Sequence, residues 1–120
     1  MTRLKAKEVQ EVRQFLLAEQ NGKCAISNKV AQVFHLDHDH KTGAIRGVLA
    51  SNINMFLGKI ENGCARYLIS RDELPFILEQ TARYLREHST SKHNLLHPTH
   101  RTPDEKKALA KKRAQRKRTK

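Results

Sequence analysis

The segment from His35 to His40 carries the side chains most able to do chemistry. Five of its six residues are ionisable, and Asn54 follows after a turn and an apolar stretch. Burying so many ionisable groups is costly unless they are used or solvated. Carboxylate, imidazole and amide groups together suit a hard divalent cation such as Mg²⁺ or Mn²⁺. The segment therefore indicates a metal-dependent site in which Asn54 returns to Asp37.

Two strands and a helix must position these groups. Residues 30–38 alternate in the manner of a strand, residues 41–43 (Lys-Thr-Gly) signal a tight turn, and residues 44–49 fit a returning strand. A short helix over residues 51–60, capped by its first or second residue, would follow. A chain with strand, turn, strand and helix in this order folds back on itself, which predicts an α+β unit.

Asp37 and His38 are neighbours on the first of these strands. Neighbouring strand side chains point to opposite faces unless the strand bends or bulges. A site that uses both residues therefore requires an irregularity in the hairpin beside them.

Helices flank this unit on both sides. Residues 4–20 are amphipathic and end at an Asn-Gly pair at 21–22, a typical stop signal. Residues 72–88 predict a last helix, with Asp72 as its cap and Pro75 tolerated in its first turn. Its apolar face suits the core or a two-fold dimer contact.

The positive charge is concentrated at the C-terminal end. Of the 24 Lys and Arg residues, nine lie in residues 105–120 with one acid, so the rest of the chain carries only +4 of the net +12. Such a tail cannot fold alone but can become helical on a polyanion. We predict a nucleic-acid-binding tail after a linker at 89–104, with a solubilising terminus or a nuclear-localisation signal as the alternative.

Composition excludes several classes of protein. A chain that is 38% hydrophobic and 5% aromatic supports only a small core. Its apolar runs are far shorter than the ~20 residues of a membrane span, and we expect no secretory signal. Two cysteines, Cys24 and Cys64, cannot make a disulfide framework, so a reducing, cytoplasmic location is expected. Cys64 is expected in the core.

The stretch LDHDHKTGAIRGVLASNINMFLG at residues 36–58 resembles the endonuclease VII family of phage recombination endonucleases, a branch of the HNH or His-Me finger nucleases. The resemblance is best over residues 24–58, and Arg83-Tyr84-Leu85 on the last predicted helix also fits it. It implies a small, mostly helical α+β domain over residues 1–88, built around a ββα-metal finger with its core at 24–60. It also implies a phage-encoded protein in the host cytoplasm.

The resemblance carries roles onto individual residues. Asp37 and Asn54 correspond to the metal ligands, His38 to the general base, and His40 to the residue that contacts the scissile phosphate or aids the leaving group. The physical logic agrees, because a neutral imidazole can take a proton from water near neutral pH. Arg46 is a phosphate or structural partner. Further nucleic-acid contacts are expected from the turn and the tail: Lys41, Lys111, Lys112, Arg113, Arg116, Lys117 and Arg118.

One feature of the family is missing. Its members usually hold a structural Zn²⁺ with two Cys-x-x-Cys pairs, but here the four positions are Cys24, Ser27, Ala50 and Ile53. One cysteine cannot complete a tetrahedral site. We therefore expect no structural zinc at this place, and we expect Ala50 and Ile53 to pack against Ile26 instead.

Other polar residues nearby have simpler interpretations. His35 is expected to pack or pair on its strand rather than bind metal. Asp39 either orients a histidine or begins the turn, and we favour the turn. His93, His97 and His100 are expected to belong to the linker, since Pro98 interrupts helical spacing.

These observations predict a Mg²⁺- or Mn²⁺-dependent DNA endonuclease with weak sequence specificity, which leaves 5′-phosphate and 3′-hydroxyl ends. The resemblance implies branched or duplex DNA as the substrate. The alternatives are a nicking or homing HNH endonuclease and a non-catalytic, basic nucleic-acid-binding protein with a degenerate finger. A homodimer through helix 72–88 is possible, because resolving a junction needs two active sites.

Overall fold

The computed structural model describes residues 1–119, so Lys120, the end of the predicted tail, lies outside the described residues. A two-stranded antiparallel sheet and four α-helices make a small α+β protein, as predicted. The elements, in chain order, are a 3₁₀ turn Ala6–Glu8, α1 Val9–Glu19, β1 Phe34–His38, β2 Ile45–Ala50, α2 Ser51–Gly63, α3 Leu74–Glu87 and α4 Pro103–Thr119.

The chain divides into two compact units. The first spans Met1–Leu78 and holds the hairpin with α1 and α2, and the second begins at Glu79. This division falls within α3.

The hairpin has the turn and the irregularity that the sequence requires. Gly43 has a φ of +80°, a conformation that favours glycine, and its N–H donates to the Asp39 carbonyl. Asp37 pairs with Gly47, whereas His38 pairs with Ile45. One extra residue, Arg46, therefore lies on β2 between these pairs and forms a β-bulge beside Asp37 and His38.

A small apolar core joins the hairpin to α2. Cys24, Leu49 and Ala50 are its buried members, and Ala31, Phe34, Ile53 and Leu57 pack against them. Ala50 and Ile53 thus pack as expected, but the prediction of Ile26 as their partner is wrong, because its side chain is 58% exposed. The smaller Cys24, 2% exposed, is buried there instead.

The side chain of Gln20 fastens the end of α1 to β2. Its amide nitrogen donates to the Val48 carbonyl (2.9 Å) and its oxygen accepts from the Val48 N–H (3.0 Å). The same nitrogen also donates to the Lys23 carbonyl (2.9 Å). Gln20 therefore satisfies the backbone of a fully buried residue as a neighbouring strand would. The predicted stop after α1 is confirmed, since Asn21 and Gly22 both have positive φ.

Two of the predicted helix caps are wrong. Ala50, not Ser51 or Asn52, precedes α2, and the Ser51 hydroxyl lies 3.2 Å from the His35 ring nitrogen. The carbonyl of Glu73, not a group of Asp72, receives the first helical hydrogen bond of α3. α2 also continues past Ile60 to Gly63.

The basic segment forms the fourth helix. α4 begins at Pro103, two residues inside the predicted linker, and the Thr102 hydroxyl accepts from the N–H of Glu105. None of the residues Pro103–Thr119 is buried. Through residue 119, no helix is long and apolar enough to cross a membrane.

Replacing Gln20 with alanine is expected to lower the free energy of unfolding by about 1–3 kcal/mol, because two buried backbone groups of Val48 lose their partner. Urea unfolding followed by circular dichroism measures this, with Gln14→Ala on the exposed side of α1 as the control. Equal midpoints for the two variants would contradict the role of Gln20.

Candidate active site

The bulged hairpin gives Asp37 and His38 different surroundings. Asp37 is 8% exposed, whereas the next residue, His38, is exposed. This difference follows from the alternation of a strand, and the bulge at Arg46 shifts the register by one residue between the Asp37–Gly47 and His38–Ile45 pairs. The hairpin thus carries a protected carboxylate beside an imidazole that solvent can reach.

Arg46 holds both oxygens of the Asp37 carboxylate. Its Nε donates to Oδ2 at 2.7 Å and its Nη2 donates to Oδ1 at 3.1 Å. Such a two-point contact fixes the plane of the carboxylate as well as its position. The pairing agrees with the structural alternative for Arg46.

The other side of the same guanidinium contacts Glu61 of α2. Nη1 donates to Oε2 and Nη2 to Oε1, both at 2.9 Å, and Nη2 of Arg71 also donates to Oε2 at 2.8 Å. These hydrogen bonds raise the pKa of Arg46 above its usual value. The hydrogen bonds from Arg46 likewise lower the pKa of Glu61, although the carboxylate is buried. Both carboxylates are therefore balanced by guanidinium groups.

The two catalytic histidine candidates lie side by side. The ring centroids of His38 and His40 are 4.6 Å apart with the planes tilted by 32°, and both residues are exposed. Asp39 between them begins the turn, because its carboxylate accepts from the N–H groups of Lys41 and Thr42, which lower its pKa. The turn interpretation of Asp39 is thus confirmed. Lys41 is exposed in the same turn.

Asn54 stands half-buried in the first two turns of α2. Glu61 follows seven residues later, so the two lie on the same face of the helix, about 10 Å apart along its axis. That face is the one that Glu61 turns toward the hairpin through Arg46. Asn54 is therefore carried on the helix face that is tied to Asp37.

The donor set fits a hard cation held by few protein ligands. Over residues 1–119, no group of three or more His, Cys, Asp and Glu side chains could hold a metal ion. Mg²⁺, however, is usually bound by one or two protein oxygens and keeps several waters. Arg46 uses one lone pair of each Asp37 oxygen, and each oxygen has a second. One Asp37 oxygen and the Asn54 amide oxygen are thus a chemically suitable pair.

Glu61 and Arg71 were not identified as site residues from the sequence. Glu61 sits seven residues after Asn54 in the same helix, and this spacing is the signal that could have found it. Arg71 lies in a turn before α3, and only the tertiary structure brings it to Glu61.

The tail cations singled out from the sequence are exposed, whereas both cysteines are buried. The predicted phosphate contacts of the tail, all exposed on α4, are Lys111, Lys112, Arg113, Arg116, Lys117 and Arg118. Burial alone would raise the pKa of the Cys24 thiol, but hydrogen bonds from Ser27 and from backbone N–H groups lower it to about 7. Cys64 is buried, as predicted for a core residue.

Comparison with known families identifies the class of protein. The family model for recombination endonuclease VII matches residues 1–87, which include α1, the hairpin, α2 and α3. The chain therefore belongs to the endonuclease VII family, a family of DNA endonucleases. A search of curated proteins found no match.

The depressed pKa of Glu61 predicts how pH affects stability. The ionised Glu61 carboxylate contributes to the free energy of unfolding. This contribution is fully present above 4.5, the pKa of the group in the unfolded chain, and is lost as the pH falls through its lower pKa in the folded protein. Glu61→Gln is expected to lower the free energy of unfolding by about 2–3 kcal/mol at pH 7, with the difference from wild type shrinking below pH 4.5. Urea unfolding across pH 3–7 measures this, and a difference independent of pH would contradict it.

Proposed function

We propose that the protein is a Mg²⁺-dependent endonuclease that hydrolyses phosphodiester bonds of branched or duplex DNA and leaves 5′-phosphate and 3′-hydroxyl ends. Family membership supports a nuclease role on DNA. The observation that supports the proposed mechanism is the bulged hairpin. It holds a buried Asp37, whose two oxygens accept hydrogen bonds from Arg46, beside an exposed His38. In this proposal β1, β2 and α2 are the His-Me finger.

Each residue of the site has a distinct role in the proposed reaction. Asp37 and Asn54 hold the cation, which would stabilise negative charge on the phosphate and on the leaving O3′. An imidazole nitrogen of His38 accepts a proton from the attacking water, and its exposure allows that water to approach. His40, next to His38, contacts the scissile phosphate or assists the leaving group.

DNA is held mainly through its phosphates. The cations of α4 surround a helix that has no buried face, so they can contact a polyanion from several sides. Arg46 and Lys41 belong to the hairpin and remain proposed contacts, although Arg46 is already hydrogen-bonded to two carboxylates. Phosphate contacts carry no base information, so sequence specificity is weak. The same proposal includes a cytoplasmic location and a finger that folds without structural zinc.

A homodimer through the first part of α3 would supply two active sites for a branched substrate. A groove of about 340 Å³ lies between α2 and α3 and is lined mostly by apolar side chains, among them Phe56, Ile60, Ile77 and Leu78. Phe56 and Tyr67 at this groove are more than 60% exposed.

Sedimentation equilibrium is expected to give twice the chain mass for wild type and a smaller mass for Leu78→Glu, because the charge would enter the apolar contact. A wild-type monomer at every concentration would contradict the dimer.

The main alternative is a non-catalytic, basic DNA-binding protein. The replacement of three zinc-ligand positions favours it, since a finger without its metal need not retain activity. The intact group of Asp37, His38, His40 and Asn54 favours the enzyme, because unused buried charge is destabilising.

Cleavage with and without the general base separates the two functions. Wild-type protein is expected to nick or cut supercoiled plasmid or a four-way junction with Mg²⁺ and not with EDTA. His38→Ala should lower the rate by about 10²–10⁴-fold with unchanged DNA binding. His35→Ala, which removes an exposed histidine paired to Ser51, is the matched control and should keep most activity. Binding without cutting by either wild type or His38→Ala would support the alternative.

The charge of α4 should set the salt dependence of DNA binding. Replacing Lys111, Lys112 and Arg113 with glutamine keeps good helix formers and is expected to flatten the slope of log K against log salt by up to about 3, since each phosphate contact contributes about 0.9. Fluorescence anisotropy with a labelled duplex at several salt concentrations measures the slope. An unchanged slope would show that α4 does not contact phosphate.

A further inference from the structure

We propose that Glu61 is a positioning residue of the nuclease site, which acts through Arg46 to fix the Asp37 carboxylate relative to Asn54. The inference rests on the proposed function, because it concerns the two residues proposed to hold the cation.

The geometry of Arg46 makes it a rigid connector. Four of its five N–H groups are engaged, two by Asp37 and two by Glu61, at 2.7–3.1 Å. The two carboxylate side chains are 9% and 8% exposed, so their oxygens depend on these contacts more than on water. Releasing Asp37 from Arg46 would leave a buried charge without its partner, which is strongly disfavoured.

Glu61 is itself held from a second direction. Arg71 donates to the same Oε2 that accepts from Arg46, and its side chain is one-third exposed. The Glu61 carboxylate is therefore bound by two guanidinium groups from two different segments, β2 and the turn before α3. The position of Glu61 is therefore fixed by Arg71 as well as by Arg46, which connects it to Asp37.

α2 is anchored to the hairpin at two places along its length, and the first of them includes residues on both sides of Asn54. Ile53 and Leu57 pack against the apolar core near the beginning of the helix, and Glu61 bonds Arg46 near its end. Asp37 lies on β1 and Asn54 on α2, so two proposed ligands come from separate elements. The Glu61–Arg46–Asp37 chain links those two elements through side chains that end on one of the ligands. This is why we assign it a role in positioning the ligands as well as in stability.

Mn²⁺ binding without DNA tests this independently of cleavage. The free Mn²⁺ signal in electron paramagnetic resonance gives the dissociation constant for wild type, Glu61→Gln and Glu61→Asp. Both variants are expected to bind about 10–100-fold more weakly, as for other residues that orient metal ligands. Glu61→Asp keeps the charge and shortens the side chain, so it separates geometry from charge. Glu19→Gln, which replaces an exposed glutamate at the end of α1, is the matched control.

Circular dichroism gives the unfolding temperature of each variant. Mn²⁺ binding is then measured well below that temperature, so that lost stability is not mistaken for lost affinity. If Glu61→Gln does not fold, Arg46→Lys takes its place, because lysine keeps the charge but cannot bond two carboxylates from both sides. It is expected to weaken Mn²⁺ binding to a similar extent.

The outcomes distinguish the two proposals. Wild-type affinity in folded Glu61→Asp and Arg46→Lys would overturn the role of Glu61 and leave the proposed function intact. Equal Mn²⁺ binding by wild type and Asp37→Ala would overturn the proposed metal site, and the positioning role with it. Weakened binding in the Glu61 variants but not in Glu19→Gln supports the inference.

Discussion

The two-sided contact of Arg46 with Asp37 and Glu61 is the interaction on which the site depends. A carboxylate that is 8% exposed is costly to bury unless a cation accompanies it, and here one guanidinium accompanies two such carboxylates. The β-bulge inserts Arg46 where it can reach both of them. Without this residue, the Asp37 carboxylate would lose its cationic partner and Glu61 would keep only Arg71.

The same constraint explains how a very small core can support a defined site. Only a few apolar side chains around Cys24 and Leu49 join the hairpin to α2. Hydrogen bonds of Gln20 to Val48 and of Arg46 to Asp37 and Glu61 supplement them. The polar network of Arg46, Asp37 and Glu61 thus lies beside the proposed catalytic residues.

Much of the fold could be predicted from local patterns. Alternation and the Lys-Thr-Gly turn predicted the hairpin, and the adjacency of Asp37 and His38 predicted that the hairpin must be irregular, as the bulge at Arg46 confirms. The predicted helix caps were wrong for two reasons. The Ser51 hydroxyl contacts His35, and the carbonyl of Glu73, rather than a group of Asp72, accepts the first helical hydrogen bond of α3.

The roles of Glu61 and Gln20 were not predicted, since both depend on residues at least 15 positions away in the chain. Local spacing places a side chain on a face but does not identify its tertiary partner.

Anomalous diffraction from crystals soaked in Mn²⁺ tests the central claim most directly. The account predicts one peak at about 2.0–2.2 Å from an oxygen of Asp37 and from the amide oxygen of Asn54, because hard divalent cations bind oxygen ligands at such distances. It also predicts that Arg46 still contacts both Asp37 and Glu61. A peak away from Asp37, or an Arg46 displaced from Asp37 by the ion, would contradict the account.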